Sequence, residues 1–378
     1  MPDYRPIRFE IDPATWGNVP PPGALVAAAR QGSIDIDLDA ALLFAGIWTR
    51  PPALHGFTLA DCWAWLRYYP AFLPGGVTRL RREWTHIDPH QKTVASDDFG
   101  VGFGTWVLQH LLNFRRYADT LYVVNVLERG QWLLRRQAKR GPAKSPDYIA
   151  YDATGAISVV ECKGTQTSQA ELRRALARGT PQKRSLTALG AQRLIHQLVV
   201  GVYIPQYEQT EQPLIAVHDP EKPDSRQELR KYSEGEIRRS TEQVSFAKEL
   251  AVFELSATAA SLSYVREAPE RLDTALRIDI DQSRAAGRTV IDNTIRVQRD
   301  IRWATPLPRA LRAYRGVRFS GELPLDALEA VTRYQRYRDL PDQVLENIAE
   351  RDWRSVHTDS GVRLYSPAGA TYEIEWLE

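Results

Sequence analysis

The residues with the clearest capacity for chemistry lie between 145 and 165, where the chain reads Ser-Pro-Asp147-Tyr-Ile-Ala-Tyr-Asp152-Ala-Thr-Gly155-Ala-Ile-Ser-Val-Val160-Glu161-Cys162-Lys163-Gly-Thr. Glu161 and Lys163 are two apart at the end of an apolar, β-branched run, so on a strand they share a face while Cys162 points to the opposite one. Ala153-Thr154-Gly155 is a turn signal between two strand-like runs. A three-residue loop there pairs Asp152 with Ala156 and sets Asp147 opposite Glu161. Two carboxylates and an amine then converge at one end of a β-ribbon. That set suits metal-assisted hydrolysis of a phosphodiester. Asp147 and Glu161 can hold Mg²⁺ or Mn²⁺, hard cations bound by a few carboxylates, and Lys163 can orient water and stabilise the transition state.

The elements that must position these groups are legible on both sides. Val101, Leu108, Leu111, Leu112 and Phe114 recur at roughly helical spacing and predict a helix from Val101 to Tyr117. Leu121 to Leu127 is β-branched and aromatic-rich, which predicts a buried strand. Ser168 and Glu171 have capping-box spacing and Gly179 reads as a C-cap, giving a helix over about 169–178. Thr180-Pro181 opens a second one through about Leu189. Leu194 to Ile204 and Leu214 to Val217 read as strands. The order helix, strand, hairpin, helix, strand, strand predicts an α/β (α+β) fold with a mixed sheet flanked by helices.

Pro146-Asp147, a spacer, and Glu161-Cys162-Lys163 in this setting resemble the PD-(D/E)xK nuclease superfamily, the restriction-endonuclease-like fold. The resemblance covers about 95–220. It implies Asp147 and Glu161 as metal ligands, the main-chain carbonyl of Cys162 as a third, Lys163 as the catalytic lysine and Gln182 as an auxiliary group. It departs in one respect: many members carry a further acid on the preceding helix, yet none lies between Phe99 and Ala118. Asp97 or Asp98 can substitute, or Gln109 can act through water.

Charge agrees with a polyanionic ligand. The net charge of the 378 residues is +2, but 129–193 holds thirteen basic and four acidic residues, a local +9. Lys and Arg contacts to phosphates supply most non-specific nucleic-acid affinity, and Arg135, Arg136, Lys139 and Arg140 are the expected contacts. The expected partner is nucleic acid, DNA rather than RNA, with a homodimer or a partner protein of a defence complex also expected. The analogy is to bacterial restriction or anti-phage effectors. The alternative is a catalytically inactive nuclease-like module that binds nucleic acid or a protein.

The rest narrows the field. At 43% apolar and 25% charged, the composition is that of a globular protein, and its length predicts two or three domains. These are an aromatic- and Pro-rich N-terminal region (1–95) of short helices and loops, a nuclease core (96–222), and a C-terminal helical and β region (223–378). In the last, a helix is expected over Ser233 to Tyr264, a strand over Thr289 to Val297, and a hairpin from Val362–Tyr365 and Tyr372–Trp376. The two cysteines, Cys62 and Cys162, are too few for a disulfide framework or a structural zinc site, which predicts a reducing, cytoplasmic home. No signal peptide, anchor or membrane partner is expected.

No P-loop string occurs. Gly100-Val-Gly102-Phe-Gly104 is explained by helix packing, and Cys162 by burial. Ile34 to Asp39 alternates with period two but lacks the glycine and distal Glu of a calcium loop, so it reads as an acidic strand or a helix start. His86-Ile-Asp88-Pro-His90 reads as a polar loop. Trp63, Trp65, Tyr68 and Tyr69 read as core before base-stacking groups.

Overall fold

A computed structural model describes residues 3–16, 20–50, 67–129, 146–183, 194–219, 232–264, 271–285, 289–291, 294–302, 316–324, 328 and 352–377. Arg135, Arg136, Lys139, Arg140, Trp63 and Trp65 lie outside these residues, as does the side chain of Gln182.

The N-terminal region is not the expected set of short helices and loops. Period-two alternation makes β1 (Tyr4–Ile11), which buries Arg5, Ile7 and Phe9 on one face. After α1 (Gly23–Gln31), β2 (Ser33–Asp37) pairs antiparallel with it. Both readings of the Ile34–Asp39 stretch hold in succession. The strand ends at Asp37, whose carboxylate accepts the Ala40 N–H at 3.1 Å and caps the fully buried α2 (Leu38–Trp48).

The helix before the chemistry begins earlier than the periodicity indicates. Asp88 accepts the His90 N–H at 2.8 Å and Pro89 takes the first position, so α3 runs Pro89–Leu112. It stops at Asn113, in the left-handed region at φ 53°, which frees β3 (Phe114–Asp119) as a strand where helix was expected. The next correction is α4 (Thr120–Leu127), expected as a strand. A short apolar run does not reveal its period, and here Val123, Val124 and Val126 pack with Ile237 and Val244 of a later helix. The hairpin of β4 (Tyr148–Asp152) and β5 (Ile157–Thr165) has the expected register, Tyr148 opposite Val160 and Tyr151 opposite Ile157. Gly155 turns it at φ 80°.

Ser168 caps α5 through the Glu171 N–H at 3.0 Å, but α5 runs unbroken over Gln169–Lys183. Pro181 falls in its last turn, where it forfeits one backbone bond rather than ending the helix. β6 (Leu194–Tyr203) and β7 (Leu214–His218) follow as expected. The seven strands form one mixed sheet in the order β2-β1-β7-β6-β5-β4-β3, with β1–β7 and β5–β6 parallel. Helices flank it. Val160, Cys162, Leu198 and Val200 share a core with α2 and α3, whereas Val199 and Tyr203 face Leu172 and Leu176 of α5.

The single helix expected over Ser233 to Tyr264 is two, α6 (Glu234–Val252) and α7 (Ser256–Leu262), parted where Glu254 takes φ 62°. After α8 (Leu272–Ala285), β8 (Thr289–Ile291) and β9 (Thr294–Arg302) divide the expected strand into an antiparallel pair. With β10 (Gly316–Pro324), β11 (Arg354–His357), β12 (Gly361–Tyr365) and β13 (Thr371–Leu377), they form a second, antiparallel sheet ordered β11-β12-β13-β10-β9-β8. Its Trp353, Val362 and Tyr372 join the core of the first sheet. Among the described residues, no helix is long and apolar enough to cross a membrane.

Candidate active site

Strand β5 outruns its partner. Pairing with β4 stops at Val160, so Glu161, Cys162 and Lys163 continue beside β6 alone. Asp147, just before β4, fills the vacated edge: its Oδ2 accepts the Cys162 N–H at 2.8 Å, a bond a sheet partner would otherwise make. The Asp147 N–H in turn donates to Glu161 Oε2 at 3.2 Å, and its carbonyl accepts from the Thr120 N–H at 3.1 Å. Glu161 Oε1 takes the Lys163 ammonium. The three predicted groups therefore meet, and Cys162 turns away into the core, 7% exposed. Burial, with the charges of Asp147 and Glu161, holds its thiol well above the ordinary range, which excludes a thiolate nucleophile.

The third acid arrives by close packing of α3 on β5. A Cβ at Gly164 would lie 1.6 Å from the Ser96 carbonyl oxygen, and one at Gly100 would lie 2.7 Å from the Gly164 nitrogen. Only bare backbone permits this approach. It brings Asp97 into the field of both Lys163 and Asp147. Asp97 is exposed, and its side chain makes no hydrogen bond among the described residues. Its neighbour Asp98 instead accepts from the hydroxyl of Tyr68, a core residue 1% exposed and unavailable for stacking. Gln109 is ruled out as a substitute. At 1.5 Å per residue it lies about 18 Å along α3 from Asp97, and it lines a separate cleft with Trp106 and Trp353.

The acids carry a shared electrostatic signature. Burial pushes Glu161 up to about 7, helped by the Asp147 charge and opposed by Lys163. Burial also raises Asp147 against the pull of the Cys162 N–H and Lys163, and raises Asp97 against Lys163. For Lys163, burial lowers, but Glu161 and Asp147 outweigh it and hold the ammonium charged. Asp147 Oδ1 has no hydrogen-bond partner among the described residues. A divalent cation fits that donor set.

Two residues were not singled out by the sequence reading. Asp119 sits at the end of β3 opposite Tyr148, where its charge raises Asp147 further, and Lys248 of α6 reaches it at 2.5 Å. Neither has a local motif; only the tertiary fold brings them here. Among the described residues, the one group of three or more Asp, Glu, His or Cys with ligand atoms all within 4.8 Å of one another is Asp37, Asp39 and His357, which could hold a metal. Within it Asp37 Oδ2 meets His357 Nε2 at 2.9 Å, while Asp37 Oδ1 caps α2.

Gln182 lies on the backbone of α5, about 20 Å along the helix from Gln169. Of the basic field, Arg174 and Arg178 pair with Glu171 at 3.2 and 2.5 Å, and Arg173 with Glu10 at 3.4 Å. Compared with protein families, with curated proteins and with solved structures, the chain matches none of them.

Proposed function

We propose that this protein is a metal-dependent nuclease that hydrolyses phosphodiester bonds, with DNA as its substrate, built on a restriction-endonuclease-like core. One observation carries the reading: Asp147, Glu161 and Lys163 meet on one face where β5 outruns β4. The succession of α3, β3, the β4–β5 hairpin, α5 and β6 supports it, as does the acid that α3 adds at Asp97. An Mg²⁺ or Mn²⁺ ion bound here would acidify a water and offset negative charge on the scissile phosphate.

The chain's own groups have separate tasks. Asp147 and Glu161 would hold the cation, the Cys162 main-chain carbonyl is the third ligand that the resemblance implies, and the exposed Asp97 would add a further acid. Glu161 also keeps Lys163 charged and aimed. The Lys163 ammonium, one quarter exposed at 24%, orients a water and contacts phosphate oxygens. The Cys162 N–H fixes the Asp147 carboxylate so that little reorganisation is needed.

The test is incubation with plasmid, single-stranded DNA and RNA in Mg²⁺, Mn²⁺ or EDTA. Cleavage is expected with either metal, and Asp147→Ala and Lys163→Ala are expected to abolish it while retaining polyanion binding. Binding without cleavage in every metal would instead mark a nuclease-like binding module and sink this reading.

A further inference from the structure

Lys248 is wholly buried, 0% exposed, on a helix outside the elements that carry the proposed chemistry. Its ammonium donates to Asp119 Oδ2 at 2.5 Å and to the Trp48 carbonyl at 2.7 Å, at the C-terminal end of α2 where the helix dipole is negative. The rings of Trp48 and Tyr148 lie 5.8 and 5.4 Å from it. The Tyr148 hydroxyl, donating to that same Trp48 carbonyl at 2.8 Å, completes the enclosure. An amine so confined is a fixed part of the structure; burial pulls its pKa below the ordinary lysine value, and the Asp119 carboxylate opposes that pull.

Asp119 shows the effect. It occupies the N-cap position of α4, where an Asp ordinarily accepts an N–H of the first turn, yet its side chain makes no cap bond. Lys248 has taken it. Asp119 nonetheless sits opposite Tyr148 and directly before Thr120, whose N–H donates to the Asp147 carbonyl at 3.1 Å, so its charge acts on Asp147. Asp147 thus lies in the field of Asp97 of α3 and Asp119 of β3, and its N–H donates to Glu161 of β5. Against them stand two ammonium groups, Lys163 and Lys248.

The geometry points to Lys248 as a built-in cation that occupies Asp119 and so limits the acid cluster to a single divalent ion. Lys248 is a positioning residue: it acts on the site through Asp119. This inference rests on the metal site proposed above and goes further, because it sets how many ions that site takes.

Mn²⁺ titrated into the full-length protein, with calorimetry for affinity and electron paramagnetic resonance for stoichiometry, tests it. Wild type is expected to bind one Mn²⁺. Lys248→Met, similar in shape but uncharged, frees Asp119 and is expected to bind a second. Lys248→Arg restores the wild-type count. A merely structural role would lower stability in the Met variant without changing that count, and an unchanged count in a folded Lys248→Met protein overturns the inference. Should that variant not fold, Asp119→Ala decides. Its Mn²⁺ affinity is expected within about threefold of wild type, short of the roughly 10–100-fold cost of disturbing a ligand shell. A loss as large as that of Asp147→Ala would make Asp119 a direct ligand and overturn the inference. Wild type binding no Mn²⁺ would instead sink the proposed function itself.

Discussion

Substituting Glu161 by Gln separates the energetic burden of the site from its use. Burial raises the Glu161 carboxyl from its ordinary 4.5 to about 7. At 1.36 kcal/mol per pH unit, that difference corresponds to about 3 kcal/mol. The sign follows from linkage. The folded protein holds the proton more tightly than the unfolded chain, so the group costs nothing below pH 4.5, and stability falls as pH rises from there to about 7. Gln is neutral throughout and removes this slope. In EDTA, urea unfolding followed by tryptophan fluorescence should show Glu161→Gln gaining on wild type by about 3 kcal/mol between pH 4 and pH 8. The attraction of Lys163 is already contained in that value. Adding Mn²⁺ at a hundred times its dissociation constant should return about 2.7 kcal/mol to wild type at pH 8 and little to the variant. Parallel pH curves for the two proteins, or equal stabilisation by Mn²⁺, would refute the reasoning.

Three further outcomes are expected. Gly164→Ala drives a methyl into the Ser96 carbonyl, so it should cost about 1–3 kcal/mol on thermal unfolding and weaken Mn²⁺ binding by separating α3 from β5. A variant with wild-type melting and wild-type Mn²⁺ affinity contradicts the backbone contact. Asp97→Asn should lower Mn²⁺ affinity about tenfold while leaving the fold intact, measured by calorimetry alongside circular dichroism. Arg116 and Glu249 form an ion pair at 2.8 Å with side chains 1% and 0% exposed. Arg116→Met strands that carboxylate and should cost about 3–5 kcal/mol in urea unfolding, whereas removing both charges should cost less.

Local chemistry was legible and its surroundings were not. The Asp147–Glu161 opposition follows from a turn signal and the period of a strand, and the structure has that register. Asp97 was visible only as an acid upstream of a helix. The helix start at Asp88-Pro89 carries a clear cap signal, but the glycine-rich middle of α3 obscured its apolar period. The α4 error has a related cause: Leu121 to Leu127 is apolar throughout and buried on several sides, so no stripe distinguishes helix from strand. Lys248 and Asp119 lie 129 residues apart, a separation that no spacing rule reaches. The same holds for β1, whose pairing with β7 joins the two ends of the first sheet's sequence.

The bare backbone of α3 has a consequence for how this protein tolerates change. Gly102 presses on the Ala41 carbonyl of α2, where an added Cβ would stand 2.5 Å away, and Gly104 presses on Val200 of β6 at 2.8 Å. With Gly100 against β5, bare backbone on two opposite faces of the helix, Gly100 and Gly104 on one and Gly102 on the other, seats it against three neighbours at once. Saturation mutagenesis read out by function should therefore return these silent positions beside the acids themselves. Any transplant of the acids and lysine into another scaffold would need to carry these three glycines with them.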